Sequence, residues 1–181
     1  MKGFPIKLAV MAFFAALFGF GAAYLVLQSN AGNSPSTVAP VSRLVREGNQ
    51  APEFSLETLD GKTVSLSQFK GRPVLINFWA SWCGPCVAET PDLVEANRQL
   101  RAAGKDVVFV GIATQDKVEA VQAFVQARNV DYVIALDPRG VTGDSYGVLG
   151  LPATYIVDES GRVRRVIAGA VNLSRVLSEF K

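Results

Sequence analysis

The chain has 181 residues, 49% of them hydrophobic, with 18 lysines and arginines, 16 aspartates and glutamates and no histidine; that length holds one ordinary domain plus an appendage. Lys2 and Lys7 supply the net charge of +2, so beyond residue 30 the remaining 16 basic residues balance 16 acidic ones. The pI of about 8.6 is therefore no sign of a nucleic-acid partner, and the missing histidine excludes a Cys–His nucleophile pair and histidine-ligated metal chemistry.

Residues 1–7 read as a short cytoplasmic N-terminus. Leu8 to Leu27, LAVMAFFAALFGFGAAYLVL, is twenty residues without a charge, the length a helix needs to cross a hydrocarbon core of about 30 Å. Lys2 and Lys7 precede it and the next basic residue is Arg43, so the positive-inside rule exports everything that follows. A cleaved signal peptide is the alternative, with Ser29-Asn30-Ala31 as a weak cleavage site, although signal cores usually run about 7–15 residues. Residues 28–50 are rich in Ser, Asn, Pro, Ala and Gly without periodicity and read as a flexible tether. The folded domain is expected over 51–181.

Within it, Phe54–Leu56 and Thr63–Leu66 alternate apolar and polar residues around Asp60-Gly61, a hairpin signal. Pro73–Ala80, PVLINFWA, predicts a buried central strand, interrupted by Asn77. A helix is expected from about Cys83 to Ala103, closed by Gly104. Asp106–Ala113 predicts the next buried strand, and Asp116 a cap for a helix reaching about Asn129. Tyr132–Leu136 predicts a short strand, and Ala153–Val157 with Arg162–Ala168 a second hairpin. Asn172 caps a final helix, and Arg162, Arg164 and Arg165 read as a solvated strand edge. Strands alternating with helices and ending in an antiparallel pair predict an α/β fold on a mixed sheet.

The only two cysteines are Cys83 and Cys86, in NFWASWCGPCVAETPDL. A bridge across two residues constrains the unfolded chain very little, which argues against a staple. A structural zinc site needs about four ligands. Val87 stands where c-type haem attachment would need histidine. Redox chemistry fits best, because the pair follows a buried strand and opens a helix, whose N-terminus favours a thiolate. Cys83, at the outer edge of the first turn, is expected to be the exposed nucleophile, and Cys86 the shielded resolving thiol. Trp79 and Trp82 read as packing residues, with Trp82 also bordering the site.

FWASWCGPC resembles the active-site segment of thioredoxins, and the wider W-C-x-x-C-x-x-E-x-P pattern resembles the membrane-anchored TlpA/ResA-type thiol–disulfide oxidoreductases, with CcmG/DsbE-type proteins as close relatives. The resemblance runs over residues 51–181 and includes APEFSLETLDGKTVSLSQFKGRPVLINFWA and YGVLGLPATYIVDESGRV. It implies a thioredoxin-like fold, a central mixed β-sheet flanked by helices with an N-terminal β-hairpin extension, preceded by one transmembrane helix. It also implies that Pro152 is a cis-proline opposite the cysteine pair, with Leu151 and Trp82 contacting substrate, and that Glu89 exchanges a proton with the resolving thiol. Ordinary thioredoxins carry a buried aspartate where this chain has Asn77, which leaves proton transfer to Glu89 or water.

These readings converge on a monomeric extracytoplasmic enzyme on a bacterial cytoplasmic membrane. It would reduce disulfides of exported proteins, for instance in cytochrome c or oxidase maturation, without a dissociable cofactor or metal. The resemblance implies a membrane thiol donor of the DsbD/CcdA kind. A thiol oxidase or isomerase, and a non-catalytic chaperone for a metal or haem-protein precursor, are the alternatives.

Overall fold

The computed structural model describes residues 44–181; the expected apolar span at 8–27 and most of the expected tether lie outside them. Strands β1 (Ser55–Glu57) and β2 (Thr63–Ser65) pair antiparallel across the turn that contains Asp60-Gly61. After them come β3 (Val74–Trp79), α1 (Gly84–Ala102), β4 (Val108–Thr114), α2 (Val118–Arg128), β5 (Val133–Asp137), α3 (Val141–Tyr146), β6 (Ala153–Val157), β7 (Val163–Ala168) and α4 (Leu173–Ser178). Five strands form one mixed sheet in the order β5-β4-β3-β6-β7. In it β3, β4 and β5 run parallel, and β6 and β7 are antiparallel to their neighbours.

Every residue of β3 is buried, because helices or the hairpin cover both faces of the sheet; this is why the strand shows no polar alternation. Val74, Ile76 and Phe78 pack with Val110, Ile112 and Tyr155 and with Phe54, Val64 and Leu66 around the hairpin. Leu75, on the opposite face, meets Leu93, Ala96 and Leu100 of α1 and Val176 and Phe180 at the C-terminus. Strand alternation puts Asn77 and Trp79 on the Leu75 face, so a polar side chain is aimed at α1. Trp79 packs against Phe124 of α2, the rings tilted and their centroids 4.8 Å apart. Gly111 is required beneath it, since a Cβ there would lie 2.9 Å from both Trp79 Nε1 and Ile134 Cδ1.

Three expectations change. Asp116 does not cap α2, whose N-cap is Lys117 without a side-chain bond; its Oδ2 instead accepts the Ser81 N–H at 2.6 Å. The C-terminal ends of parallel β3 and β4 lie side by side, and that brings the two residues together. Helix α3 is absent from the sequence reading because its six residues, VTGDSY, show no apolar period. Its N-terminus is held by buried Asp137, which accepts the Thr142 and Gly143 N–H groups and the Thr114 hydroxyl at 3.3, 3.0 and 3.1 Å. Finally, the end of the expected tether lies against the domain: Gly48 N–H donates to Val163 at 2.7 Å, and Val163 N–H to Asn49 at 2.9 Å. That segment covers the open edge of β7. The β7 arginines are partnered, Arg165 with Glu47 at 3.1 Å and Arg164 over the Phe180 ring at 5.5 Å.

Candidate active site

After β3 the chain turns through Ala80-Ser81-Trp82, and Cys83 becomes the N-cap of α1 rather than its first helical residue. Its Sγ accepts the Cys86 N–H at 3.3 Å, satisfying one of the free donors of the first turn. Pro85 in that turn has no N–H to satisfy. Cys83 and Cys86 are joined by a disulfide, S–S 2.10 Å, with Cα atoms 5.2 Å apart.

Cys83 was expected to be exposed, yet it is only 6% exposed, against 1% for Cys86. The reason is local: in the disulfide its sulfur is turned back onto Cys86 and the Cys86 amide. The asymmetry survives in another form, since Cys83 borders an open cleft of about 440 Å³ and Cys86 does not. Trp82, Cys83 and Pro85 form one wall of that cleft, and Val148, Leu149 and Leu151 line the other. The Leu151–Pro152 peptide bond is cis.

The two tryptophans have different surroundings, with Trp82 at the site border expected from sequence. Trp79 is buried, whereas Trp82 is 63% exposed and forms a cleft wall. The Trp82 indole N–H donates to the Gln115 carbonyl at 3.3 Å, and Gln115 takes a left-handed conformation at φ 52°. Across the cleft Leu149 is 90% exposed, so both rims present apolar surface to solvent.

Behind the disulfide lies a buried polar chain. Glu89, one turn beyond Cys86, is buried; its Oε1 accepts from Asn77 Nδ2 at 2.9 Å and its Oε2 from the Val171 N–H at 2.8 Å. Asn77 Nδ2 also donates to Thr154 Oγ1 at 3.1 Å, and Thr154 is the register partner of Asn77 on β6. Burial pushes the Glu89 carboxyl above its ordinary value of 4.5, while the bonds from Val171 and Asn77 pull the other way. The chain thus links α1 to the strand that leaves the Pro152 loop. Pro91, inside α1, cannot donate to the Val87 carbonyl; Arg128 Nη1 approaches that oxygen at 3.5 Å.

Among the described residues no cluster of three or more Cys, Asp or Glu could hold a metal ion. What the site offers is a cysteine pair on a helix N-terminus, a cleft that reaches one sulfur, and a buried carboxyl behind the other. That is the equipment of thiol–disulfide exchange.

The redoxin family profile matches residues 46–179. The chain belongs to the redoxin family. This redoxin is 39% identical over 128 residues to the thioredoxin-like protein YneN of Bacillus subtilis, covering 70% of this chain and 74% of that one. It is 33% identical over 132 residues to the thiol-disulfide oxidoreductase ResA of the same organism, 73% of each chain. Among solved structures, a secreted thiol-disulfide isomerase from Corynebacterium glutamicum superposes with TM-score 0.67 at 28% identity, covering 82% of this chain and 93% of its own. A secreted disulfide oxidoreductase of Mycobacterium tuberculosis, homologous to E. coli DsbE, gives 0.64 at 28% identity over 70% and 93%. With its cysteine pair, this redoxin is a TlpA/ResA-like thiol–disulfide oxidoreductase of the thioredoxin superfamily with a thioredoxin-like α/β fold.

Several residues of the redoxin site were missed from sequence. Asn77 was visible as a polar break in an apolar strand, but it was read only as a lost acid; the structure makes it the donor that holds Glu89. Thr154, the Val171 amide and Gln115 carry no local signal, and the signal of Asp116 points to a helix cap rather than to Ser81.

Proposed function

We propose that this oxidoreductase reduces disulfides in exported proteins, with Cys83 attacking and Cys86 resolving. The observation that supports this assignment is that Cys83 borders the open cleft at the tip of α1 while Cys86 lies behind it. The helix N-terminus, with roughly half a positive charge and free N–H groups, favours the Cys83 thiolate. That thiolate attacks one sulfur of the substrate disulfide; the substrate S–S bond breaks and the departing sulfur takes up a proton. Cys86, deprotonated, then attacks Cys83 Sγ, forming the Cys83–Cys86 disulfide and releasing the second substrate thiol. Two electrons pass from the dithiol to the substrate, and Glu89 exchanges the Cys86 proton. The substrate lies extended against Trp82 and the Leu151–Pro152 turn, pairing with backbone polar groups of Leu151. No dissociable cofactor takes part.

Re-reduction requires a dithiol donor, for which a membrane thiol carrier of the DsbD/CcdA kind is the candidate. Residues 1–7 would face the cytoplasm, 8–27 anchor the chain, 28–50 tether it and 51–181 act as a monomer on the extracytoplasmic side. No helix among the described residues is long and apolar enough to cross a membrane, and the proposed anchor lies outside them. Two structural neighbours described as secreted are in line with export. If the anchor is retained, the protein stays with membranes after a carbonate wash; a soluble form beginning near Gly32 would replace that reading with cleavage.

The neighbour described as an isomerase favours a second reading, in which the disulfide is the working form. A redox titration separates the two. Reducing thioredoxins lie near −270 mV and the strong oxidant DsbA near −120 mV, a gap of roughly 7 kcal/mol. A value at the reducing end supports the reductase, and one near −120 mV overturns it. Substrates accumulate as mixed disulfides on Cys83 of a Cys86→Ala variant.

A further inference from the structure

The second cleft wall belongs to the segment 147–152, which runs from the end of α3 into β6. Its foundations are buried and hydrogen-bonded. Tyr146 is fully buried; its hydroxyl donates to the Pro52 carbonyl at 2.8 Å, and its own carbonyl accepts the Tyr155 hydroxyl at 3.0 Å. The rings of Phe78, Tyr146 and Tyr155 contact one another at 5.1 to 5.7 Å. Directly above this base the chain passes through Gly147, at φ +72°, and then emerges as Val148, Leu149 and Gly150.

Gly147 is covered from outside by Leu44. A Cβ on Gly147 would meet both Leu44 Cα and Leu44 Cδ2 at 3.1 Å, and Val45 N at 3.6 Å. Val45, Val148 and Leu151 pack against the same core cluster. The start of the cleft wall therefore lies between an aromatic base and the backbone and side chain of Leu44, which belongs to the segment expected as a tether.

We propose that Leu44 is a positioning residue for substrate binding: by lying across Gly147 it holds the Val148–Pro152 wall in the conformation that receives the substrate. This rests on the reading that the Leu151–Pro152 turn binds substrate. The physical reason is preorganisation. A wall fixed beforehand does not have to be ordered at the expense of binding free energy. The Gly147 and Val148 N–H groups cap α3 on the Asp144 and Gly143 carbonyls at 3.0 Å, and the Leu44 cover keeps water from competing for that cap at the start of the wall. Cys83 stands on α1, outside this brace, so its reactivity does not depend on Leu44.

The test uses the full chain in detergent, with insulin as the disulfide substrate. Leu44→Ala is expected to raise KM about fivefold, since small misplacements of positioning elements are costly, with kcat and the pH profile of Cys83 alkylation unchanged. Leu44→Met, which restores the apolar cover, is expected to return KM to the wild-type value. A Leu149→Ser variant reports on the wall itself. If Leu149→Ser raises KM and Leu44→Ala leaves it unchanged, the brace is overturned while the substrate reading stands. If neither changes KM, the substrate reading of this wall falls and the brace falls with it. A Leu44→Ala variant that changes only the melting temperature is a packing defect, and likewise overturns the proposal.

Discussion

Both oxygens of the Glu89 carboxylate face N–H donors, from Asn77 and from Val171. Glutamine therefore cannot copy it: one of the two donors would confront an NH₂ group. Glu89→Gln removes a negative charge and a proton carrier, so thiol pKa values should fall while disulfide exchange slows, by about 10²-fold where proton transfer limits the rate. Thiol titration and insulin reduction kinetics check this, and wild-type behaviour in both would make Glu89 a structural carboxyl. A second readout follows from linkage. Burial raises the Glu89 pKa in the folded state above its ordinary 4.5. Its contribution to stability is then fully present below that ordinary value and is lost as pH rises through the folded value. The Gln variant lacks this loss, so its urea midpoint relative to wild type should climb as pH rises above about 4.5. The donor mismatch adds an offset that does not vary with pH. Asn77→Asp makes the complementary test. It would put a second carboxyl where Asn77 Nδ2 now lies 2.9 Å from Glu89, and two carboxylates so close cannot both ionise. Activity against pH should then show the apparent pKa values of a coupled pair. An unshifted profile would mean that the two side chains separate.

At the scale of the element, α1 concentrates the chemistry in its first two turns. Cys83 caps it, Pro85 needs no donor there, Thr90 returns its hydroxyl to the Cys86 carbonyl at 2.8 Å, and Pro91 leaves the Val87 carbonyl to Arg128. The spacing C-x-x-C puts the second sulfur one turn behind the first, so a single helix end decides both roles. In the reduced protein at neutral pH, iodoacetamide should alkylate Cys83 before Cys86, as peptide mapping would reveal; Cys86 labelled first would reverse the assigned roles. This much of the site was legible in the chain, because adjacent residues of one helix fix their own geometry. The expected exposure of Cys83 was not, since it depends on which way the sulfur turns once the disulfide forms.

At the scale of the molecule, central β3 carries two loads on opposite faces: Phe78 under the aromatic base of the cleft wall, and Asn77 toward the carboxyl behind the disulfide. Phe78→Ala should cost about 3–5 kcal/mol of stability, as large-to-small changes in well-packed cores do. Urea unfolding measures it, and a loss below about 1 kcal/mol would mean that Tyr146 and Tyr155 close the gap. Because those two tyrosines bracket the Pro152 loop, the variant should also bind substrate less tightly.

The order of the strands and of every helix except α3, the buried central strand, the redox pair and its place at a helix start all follow from patterns a few residues long: apolar runs, turn residues, caps and the spacing of two cysteines. Backbone geometry converts such patterns directly into local structure. Tertiary packing decided the rest. Glu89 meets Val171 across 82 positions and Asn77 meets Thr154 across 77, and Leu44 reaches Gly147 only because the segment before β1 is laid over the end of α3. Asp116 left its expected cap for Ser81 because two parallel strands end side by side. Contacts of this kind depend on which surfaces the sheet brings together, and no periodicity along the chain encodes that pairing.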